Sequence, residues 1–218
     1  MQKNTKTTTA KERMLKKIRH ALLQKREAPY PNFEEAELHP KESEPIDVLF
    51  AQRFTDVAGK FVYCEDEISF IENLISLAER EKLRRMYAWE PAVQQLLDKY
   101  GFPFYRTERD LDQIEAGITT CEALIARSGS ILVSNGNASG RRLAIYPHVH
   151  VVMAFASQLV MDIKDGLSLM QRRYAEGLPS LINVITGPSR TADIEKTLVL
   201  GAHGPKEVYV FLLEDRPM

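Results

Sequence analysis

Between residues 45 and 101 the apolar residues change period repeatedly, from helical to extended and back, and this alternation constrains the fold more than any other feature of the chain. Ile46, Leu49, Phe50, Phe54 and Val57 form one helical stripe that starts behind Pro45 and stops at Gly59. Lys60–Cys64 is a short β-prone run, Ile68, Ile71, Leu74, Ile75 and Ala78 mark a second helix, and Arg84–Trp89 reads as a second strand. Pro91 opens a third helix through Val93, Leu96 and Leu97 to Tyr100, and Gly101 ends it. Proline is tolerated in a first helical turn and glycine suits the residue that closes a last one. Strands separated by helices of this length pair in parallel through crossovers, not as hairpins. The reading is an α/β body with a mostly parallel or mixed central sheet flanked by helices.

The pattern changes after about Ile118. Cys121–Ala126, Ile131–Ser134, Leu143–Tyr146 and His150–Met153 are β-prone runs whose spacing leaves no room for crossover helices. They imply antiparallel or mixed sheet inserted into the body, with Ser128-Gly129 as a tight turn and Asn135–Gly140 as a loop. A long helix carrying Val160, Ile163, Leu167, Met170 and Tyr174 follows, then a strand Leu181–Thr186, a Gly-Pro turn, a short helix near Thr191–Leu198 and a last strand Val208–Leu213. Residues 110–126 suit helix or strand equally.

Residues 1–44 read as an arm and residues 45–218 as the domain. From Lys11 to Arg26 there are seven Lys/Arg, while Met14, Leu15, Ile18, Leu22 and Leu23 recur at helical spacing. Such a basic amphipathic helix docks on a partner subunit or an anionic surface, or lies against its own domain or a symmetry mate in a homo-oligomer. Residues 27–47 are acidic and carry Pro29, Pro31, Pro40 and Pro45, which forbid a continuous helix and imply an extended linker.

Composition excludes several functions. With 29 basic against 30 acidic side chains, the chain lacks the basic excess of a domain that neutralises many phosphates, so nucleic acid is not the expected partner. Cys64 and Cys121 are the only cysteines, too few to hold an iron–sulfur cluster or a zinc ribbon, so no cofactor or metal is expected in this chain. A disulfide between them would be unusual in the cytoplasm, the compartment implied by the lack of a signal-type apolar region or an apolar run of spanning length. Gly-x-Gly-x-x-Gly, Walker A and Gly-x-Ser-x-Gly patterns are all missing, which argues against a dinucleotide-binding unit, a P-loop NTPase and an α/β-hydrolase.

Four segments carry candidate chemistry. Gly187-Pro-Ser-Arg-Thr-Ala-Asp193 follows a buried-looking strand and is expected to open a helix, at the carboxyl end of a strand where ligands bind in open α/β sheets. There Gly187 would let backbone approach, Ser189 or Thr191 would cap the helix, and Arg190 would offer a planar fork to a carboxylate or phosphate. The same residues also read as a plain turn, a cap and a solvated arginine, with Asp193 a structural acid in the first helical turn. Gly201-Ala-His-Gly-Pro205 holds His203 on a shaped loop beside Gly204, where it could transfer a proton, bind a carboxylate or simply contact backbone. In Pro147-His-Val-His150, two histidines two apart on an extended segment point to one face. His148 and His150 offer a two-point metal grip without a third ligand, or one histidine reaching a crevice. Ser128, Gly129 and Ser130 offer hydroxyls and N–H groups to a ligand, or merely make a hairpin.

In order, Thr119-Thr-Cys-Glu-Ala-Leu-Ile-Ala-Arg-Ser-Gly-Ser130, Tyr146–His150, Gly187–Glu195 and Gly201–Pro205 resemble the LUD-domain family, within it the lactate-utilisation protein C (YkgG-like) group. The resemblance covers roughly residues 45–213. It implies an α/β fold shared with sugar-phosphate isomerases and CoA transferases. It also implies a role in L-lactate use, with lactate oxidised to pyruvate by a complex whose sister subunits carry the iron–sulfur clusters. The family commonly places Glu before a Thr-Gly-Thr where this chain has Arg127 before Ser-Gly-Ser, which reverses the charge there. Arg127 either adds to an anion site or lies on the surface of a hairpin. An accessory subunit of a lactate-oxidising system, a stand-alone enzyme of isomerase or CoA-transferase type, and a non-catalytic assembly or regulatory protein remain open as readings.

Overall fold

The computed structural model describes residues 9–23, 42–108, 113–139, 141–194, 197–201 and 203–215, with backbone alone for 192–194 and 197–200. It divides the chain into two compact units, residues 1–43 and 44–218. In the first, α1 (Ala10–Leu23) begins with a reciprocal cap: Thr9 N donates to Glu12 Oε2 (2.8 Å) and Glu12 N to Thr9 Oγ1 (3.3 Å).

The second unit is built on a five-stranded, fully parallel sheet in the order β1-β11-β6-β3-β2. Its strands are β1 (Lys60–Cys64), β2 (Met86–Ala88), β3 (Ala116–Thr119), β6 (Val149–Phe155) and β11 (Glu207–Leu213). The helices α2 (Ile46–Asp56), α3 (Glu67–Arg80) and α4 (Pro91–Lys99) fall where the alternating pattern puts them. A parallel sheet is buried on both faces, and its side chains sort accordingly. Val149, Val151 and Met153 of β6 join Tyr209, Phe211 and Leu213 of β11 in a core with α3 and α4. Val152, Ala154, Val208, Val210 and Leu212 face α2 and a second sheet.

That second sheet has the order β7-β4-β5-β8, from β4 (Ala123–Ile125), β5 (Ser130–Ser134), β7 (Leu159–Val160) and β8 (Ile182–Ile185). β5 is antiparallel to β4 and β8, while β7 runs parallel to β4. Only β4 and β5 come from the expected mixed insertion, because His150–Met153 lies in β6 at the middle of the parallel sheet. α5 (Ile163–Arg173) packs on the four-stranded sheet through Met170 against Ala123, Ile125 and Leu132.

Two further sequence expectations are corrected, and one ambiguity is resolved. The helix near Thr191–Leu198 is a hairpin of β9 (Arg190–Ile194) and β10 (Thr197–Leu200). The Ser/Thr signal taken for a helix cap closes the hairpin base instead: Ser189 N donates to Pro205 O and Gly201 N to Ser189 O, both at 2.9 Å. Thr191, Ile194, Thr197 and Val199 are β-branched, which suits strands. Leu143–Tyr146 is a series of turns, with Ile145 N and Tyr146 N both bonded to Arg142 O. Leu143 covers β3, where a Cβ on Gly117 would strike Leu143 O and the Pro147 ring. Of the ambiguous residues 110–126, residues 110–112 lie outside the described residues, and the rest hold two strands, β3 and β4, broken at Thr120–Glu122.

The last turn of α2 sets the distance between the two sheets. Gly59 N donates to Phe54 O and Ala58 N to Thr55 O, a Schellman closure with Ala58 in the left-handed position at φ 65°. The glycine expected to stop this helix lies one residue later, because the Phe54 ring fills the space of a Cβ on Gly59. Across the gap, Gly129 (φ +58°) presses on the backbone of Arg53 and Phe54, and Gly187 (φ +79°) on Val57 O.

Gly101 has a similar φ of +67° and open space where a Cβ would stand. Gly101→Ala should therefore cost only the left-handed strain, about 1 kcal/mol, whereas Gly129→Ala should cost about 3 kcal/mol or more in urea unfolding. Equal costs would mean that the α2 contact does not set the packing.

Candidate functional site

α2 leaves its final carbonyl groups without helical partners, and the Arg190 guanidinium supplies one. Arg190 Nη2 donates to Val57 O at 2.8 Å, so the cation stands at the negative end of a helix dipole. This is the reverse of the expected cradle, in which Arg190 would have stood at a helix N-terminus beside free N–H groups. Beside it runs a chain of hydroxyls. Ser130 Oγ lies 2.8 Å from Ser128 Oγ and 2.8 Å from Thr186 Oγ1. Ser130 is buried, while Ser128, Thr186 and Arg190 are exposed. Since Gly187 and Arg190 converge on the same Val57 carbonyl, the hydroxyls and the guanidinium share one surface.

A second polar cluster lies where β2 and β3 end, on the carboxyl edge of the parallel sheet. Glu90, directly after β2, accepts from Thr120 N (3.0 Å), Thr120 Oγ1 and Ser139 Oγ. Glu122 is fully buried; its Oε1 accepts from Ser134 Oγ (2.6 Å) and Tyr174 OH (2.7 Å), and its Oε2 from Arg173 Nη1 (2.6 Å). These bonds tie the 134–139 segment and the end of α5 to the end of β3. A buried carboxylate needs such partners, and here every one is a hydroxyl, an amide or a guanidinium.

His150 belongs to the interior of the same region. It is fully buried, and Nε2 lies 2.9 Å from Thr119 Oγ1. The Thr119 hydroxyl donates its one proton to Thr120 O (2.9 Å), so Nε2 must carry the proton it shares with Oγ1. Nδ1 is then a bare acceptor, and it has no partner among the described residues. Burial holds the imidazole neutral, its pKa lowered to about 4.

Comparison with known proteins places the chain among its relatives. The LUD domain matches residues 49–213, three-quarters of the chain and nearly all of the second unit. The chain belongs to the LUD domain family. A relative from Bacillus subtilis, named Lactate utilization protein C, is 35% identical over 172 residues, covering 74% of this chain and 72% of that protein. One of the same name from Bacillus licheniformis is 33% identical over 107 residues, and the match spans 48% of this chain and only 45% of that relative's length. The crystal structure of a DUF162 family protein from Deinococcus radiodurans shares the fold, with a TM-score of 0.58 and 19% identity over 80% of this chain and 99% of that one.

Within this LUD domain the sequence-derived residues fall into two groups. Ser128, Gly129, Ser130, Gly187 and Arg190 gather around the last turn of α2. Ser189, Gly201, Gly204 and His148 lie along the amino edge of the parallel sheet: Ser189 N bonds Pro205 O, Lys206 N bonds His148 O, and Gly204 packs on the Ser189 side chain. The Gly187 and Gly201 segments, expected to form one crevice at the carboxyl end of a strand, meet at Ser189. Gly187 does follow the carboxyl end of a strand, β8, but that strand belongs to the four-stranded sheet. His148 and His150 do not share a face, because His148 precedes β6 and is exposed while His150 is sealed inside. His203 is exposed in its turn. Thr191 and Asp193 lie in β9, and the Asp193 side chain is outside the described residues. Arg127 pairs with Asp162 through Nε (2.6 Å) and Nη2 (3.3 Å), its side chain 20% exposed.

Sequence reasoning missed Glu90, Thr186, Arg173 and Tyr174. Thr186 is a hydroxyl immediately before a left-handed glycine, and Glu90 an acid wedged between a buried strand and a helix-opening proline. Both positions were legible signals. Arg173 and Tyr174 meet Glu122 only through tertiary packing.

The His150 environment has a pH signature. In the unfolded chain the imidazole titrates near 6.5, and in the folded chain near 4, so the folded state binds fewer protons between those values. Its contribution is intact above pH 6.5 and is lost as the pH falls toward 4. Urea unfolding at pH 7 and pH 5 should show that His150→Leu removes about 2 kcal/mol of the pH-dependent loss. An unchanged difference between the two pH values would mean that His150 is solvated or paired.

Proposed function

We propose that this LUD domain serves lactate utilisation as an accessory subunit of an iron–sulfur system that oxidises L-lactate to pyruvate, and that it holds a small anion. Its kinship with proteins named Lactate utilization protein C is the observation that carries the role. The oxidation removes two electrons and two protons from the substrate, so an electron acceptor is required. Cys64 and Cys121 do not suit that task. Both are buried and free, and burial pushes the Cys64 thiol up to about 11 and Cys121 higher still. Two thiols fall short of the four that a cluster takes, which supports placing the redox centres on cysteine-rich partner subunits.

The anion is a carboxylate or a phosphate-bearing ligand. We assign it to the exposed hydroxyls of Ser128 and Thr186 together with Arg190, which keeps N–H groups beyond the one given to Val57. His203 is assigned the proton transfer, from its exposed turn in the Gly201–Pro205 loop. The Arg127–Asp162 pair neutralises the guanidinium that stands where the family commonly has an acid, so no acid–base step is assigned there.

Recovering the full chain from its native cell should bring down a cysteine-rich iron–sulfur protein, and the assembled set should reduce a dye with L-lactate as donor. Arg190→Ala and Thr186→Val should each lower that rate at least about tenfold without dissociating the complex. Full lactate oxidation in Arg190→Ala combined with His203→Ala would leave only an assembly role. Sugar-phosphate isomerisation or CoA transfer by the chain alone would overturn the subunit reading.

A further inference from the structure

The charge of this protein is segregated along its sequence. Residues 1–26 hold nine Lys/Arg and one acid, Glu12, for a net +8; since the whole chain is −1, the remaining residues carry −9. The single acid of that stretch is taken up by the cap of α1, through its bond from Thr9 N. At 100° per residue, Ala10, Met14, Leu15, Ile18, Ala21 and Leu22 fall within an arc of about 140° that Lys11 enters in the first turn, while Arg19, Lys16, Arg13 and Lys17 spread over the rest with Leu23 among them. None of α1's residues is buried. Met14 is 63% exposed, Ile18 47% and Leu22 77%, a line of apolar side chains in water along a helix about 21 Å long. A helix of 14 residues is marginal in isolation and gains its stability from whatever covers its apolar face.

We infer that α1 is an interfacial helix that lies on an anionic lipid surface, with its apolar arc in the acyl boundary and its cations among the headgroups. A helix that combines a wide apolar arc, a cationic opposite face and low overall hydrophobicity has the pattern of a surface-seeking helix. It is not a spanning one, and no helix among the described residues is long and apolar enough to cross a membrane. Charge selects the partner. A second copy of α1 would set two cationic helices side by side, and like charges at close range oppose that pairing. Texture selects lipid over an acidic protein groove. Grooves take up a helix through a few large anchors at fixed spacing, aromatic ones above all. α1 has no Phe, Tyr or Trp, and its apolar arc is made of aliphatic Leu, Ile, Met and Ala side chains, which a fluid layer accepts without matching pockets.

Sedimentation of the full chain with vesicles tests this. Vesicles of phosphatidylcholine with about a third phosphatidylglycerol should carry the protein down, and pure phosphatidylcholine should not. Lys16→Glu combined with Lys17→Glu should weaken binding by about tenfold or more, as should Leu15→Glu combined with Leu22→Glu, and raising the salt should release the wild type. These side chains are exposed, so the variants keep the fold of residues 44–218, which an unchanged unfolding midpoint verifies. No sedimentation with anionic vesicles, equal sedimentation with neutral ones, or binding retained by the charge-reversed variant would overturn the inference. Concentration-dependent self-association without vesicles, abolished by Leu15→Glu and Leu22→Glu, would also overturn it and identify a second copy as the occupant.

Discussion

Phe54 and Val57, on the last turn of α2, occupy space that three glycines leave open. Gly59 yields to the Phe54 ring, Gly129 to the backbone of Arg53 and Phe54, and Gly187 to the Val57 carbonyl. These glycines come from three parts of the chain: the entrance to the parallel sheet, the β4–β5 turn and the loop after β8. Close approach of backbone to backbone is what glycine permits and any Cβ forbids. The turn therefore joins two sheets that share no strand, and it fixes where the β4–β5 turn and the β8 loop meet. The hydroxyl chain from Ser128 through Ser130 to Thr186 exists because these two loops are held against the same helix end.

The electrostatics of that place follow from the direction of the helix. A helix N-terminus would have presented N–H groups to an anion; α2 presents carbonyls, and Arg190 meets one of them. An anion there depends on side-chain hydroxyls and a guanidinium, not on a dipole. The carboxyl edge of the parallel sheet carries the opposite character, with Glu90 and Glu122 saturated by hydroxyls and Arg173. Those carboxylates tie the 134–139 segment and the end of α5 to β3. Their partners are already protein groups, which is the condition of a clamp more than of a receptor.

Much of this was legible in the sequence. The alternation from Ile46 to Tyr100 gives α2, β1, α3, β2 and α4 because each element buries one face or both against the same sheet, so its period is written in its apolar residues. The same crowding of β-prone runs located β4 and β5 but misassigned His150–Met153, which is β6 in the middle of the parallel sheet. The β9–β10 hairpin was hidden because Ser189 and Thr191 carry the same signal for a cap as for a hairpin base, and only the bonds to Pro205 and Gly201 distinguish them. The expected shared face of His148 and His150 fails because β6 starts at Val149 and leaves His148 outside it, a boundary that propensity does not locate to one residue. The meeting of the Gly187 and Gly201 segments was legible and is made by the bonds of Ser189 to Pro205 and Gly201, whereas the sheet edge they occupy is a property of topology.

The Ser128–Ser130 turn, Thr186 and Arg190 meet on a single surface around the end of α2. Its most direct test is a titration of the full chain with L-lactate and with inorganic phosphate, followed by backbone amide shifts in a 1H–15N spectrum. The account predicts saturable changes confined to Ser128–Ser130, Thr186–Arg190 and Val57, abolished for Arg190→Ala. Changes at Glu90, Thr120 and Ser139 instead, with Thr186 and Arg190 still, would move the site to the carboxyl edge of the parallel sheet and contradict it.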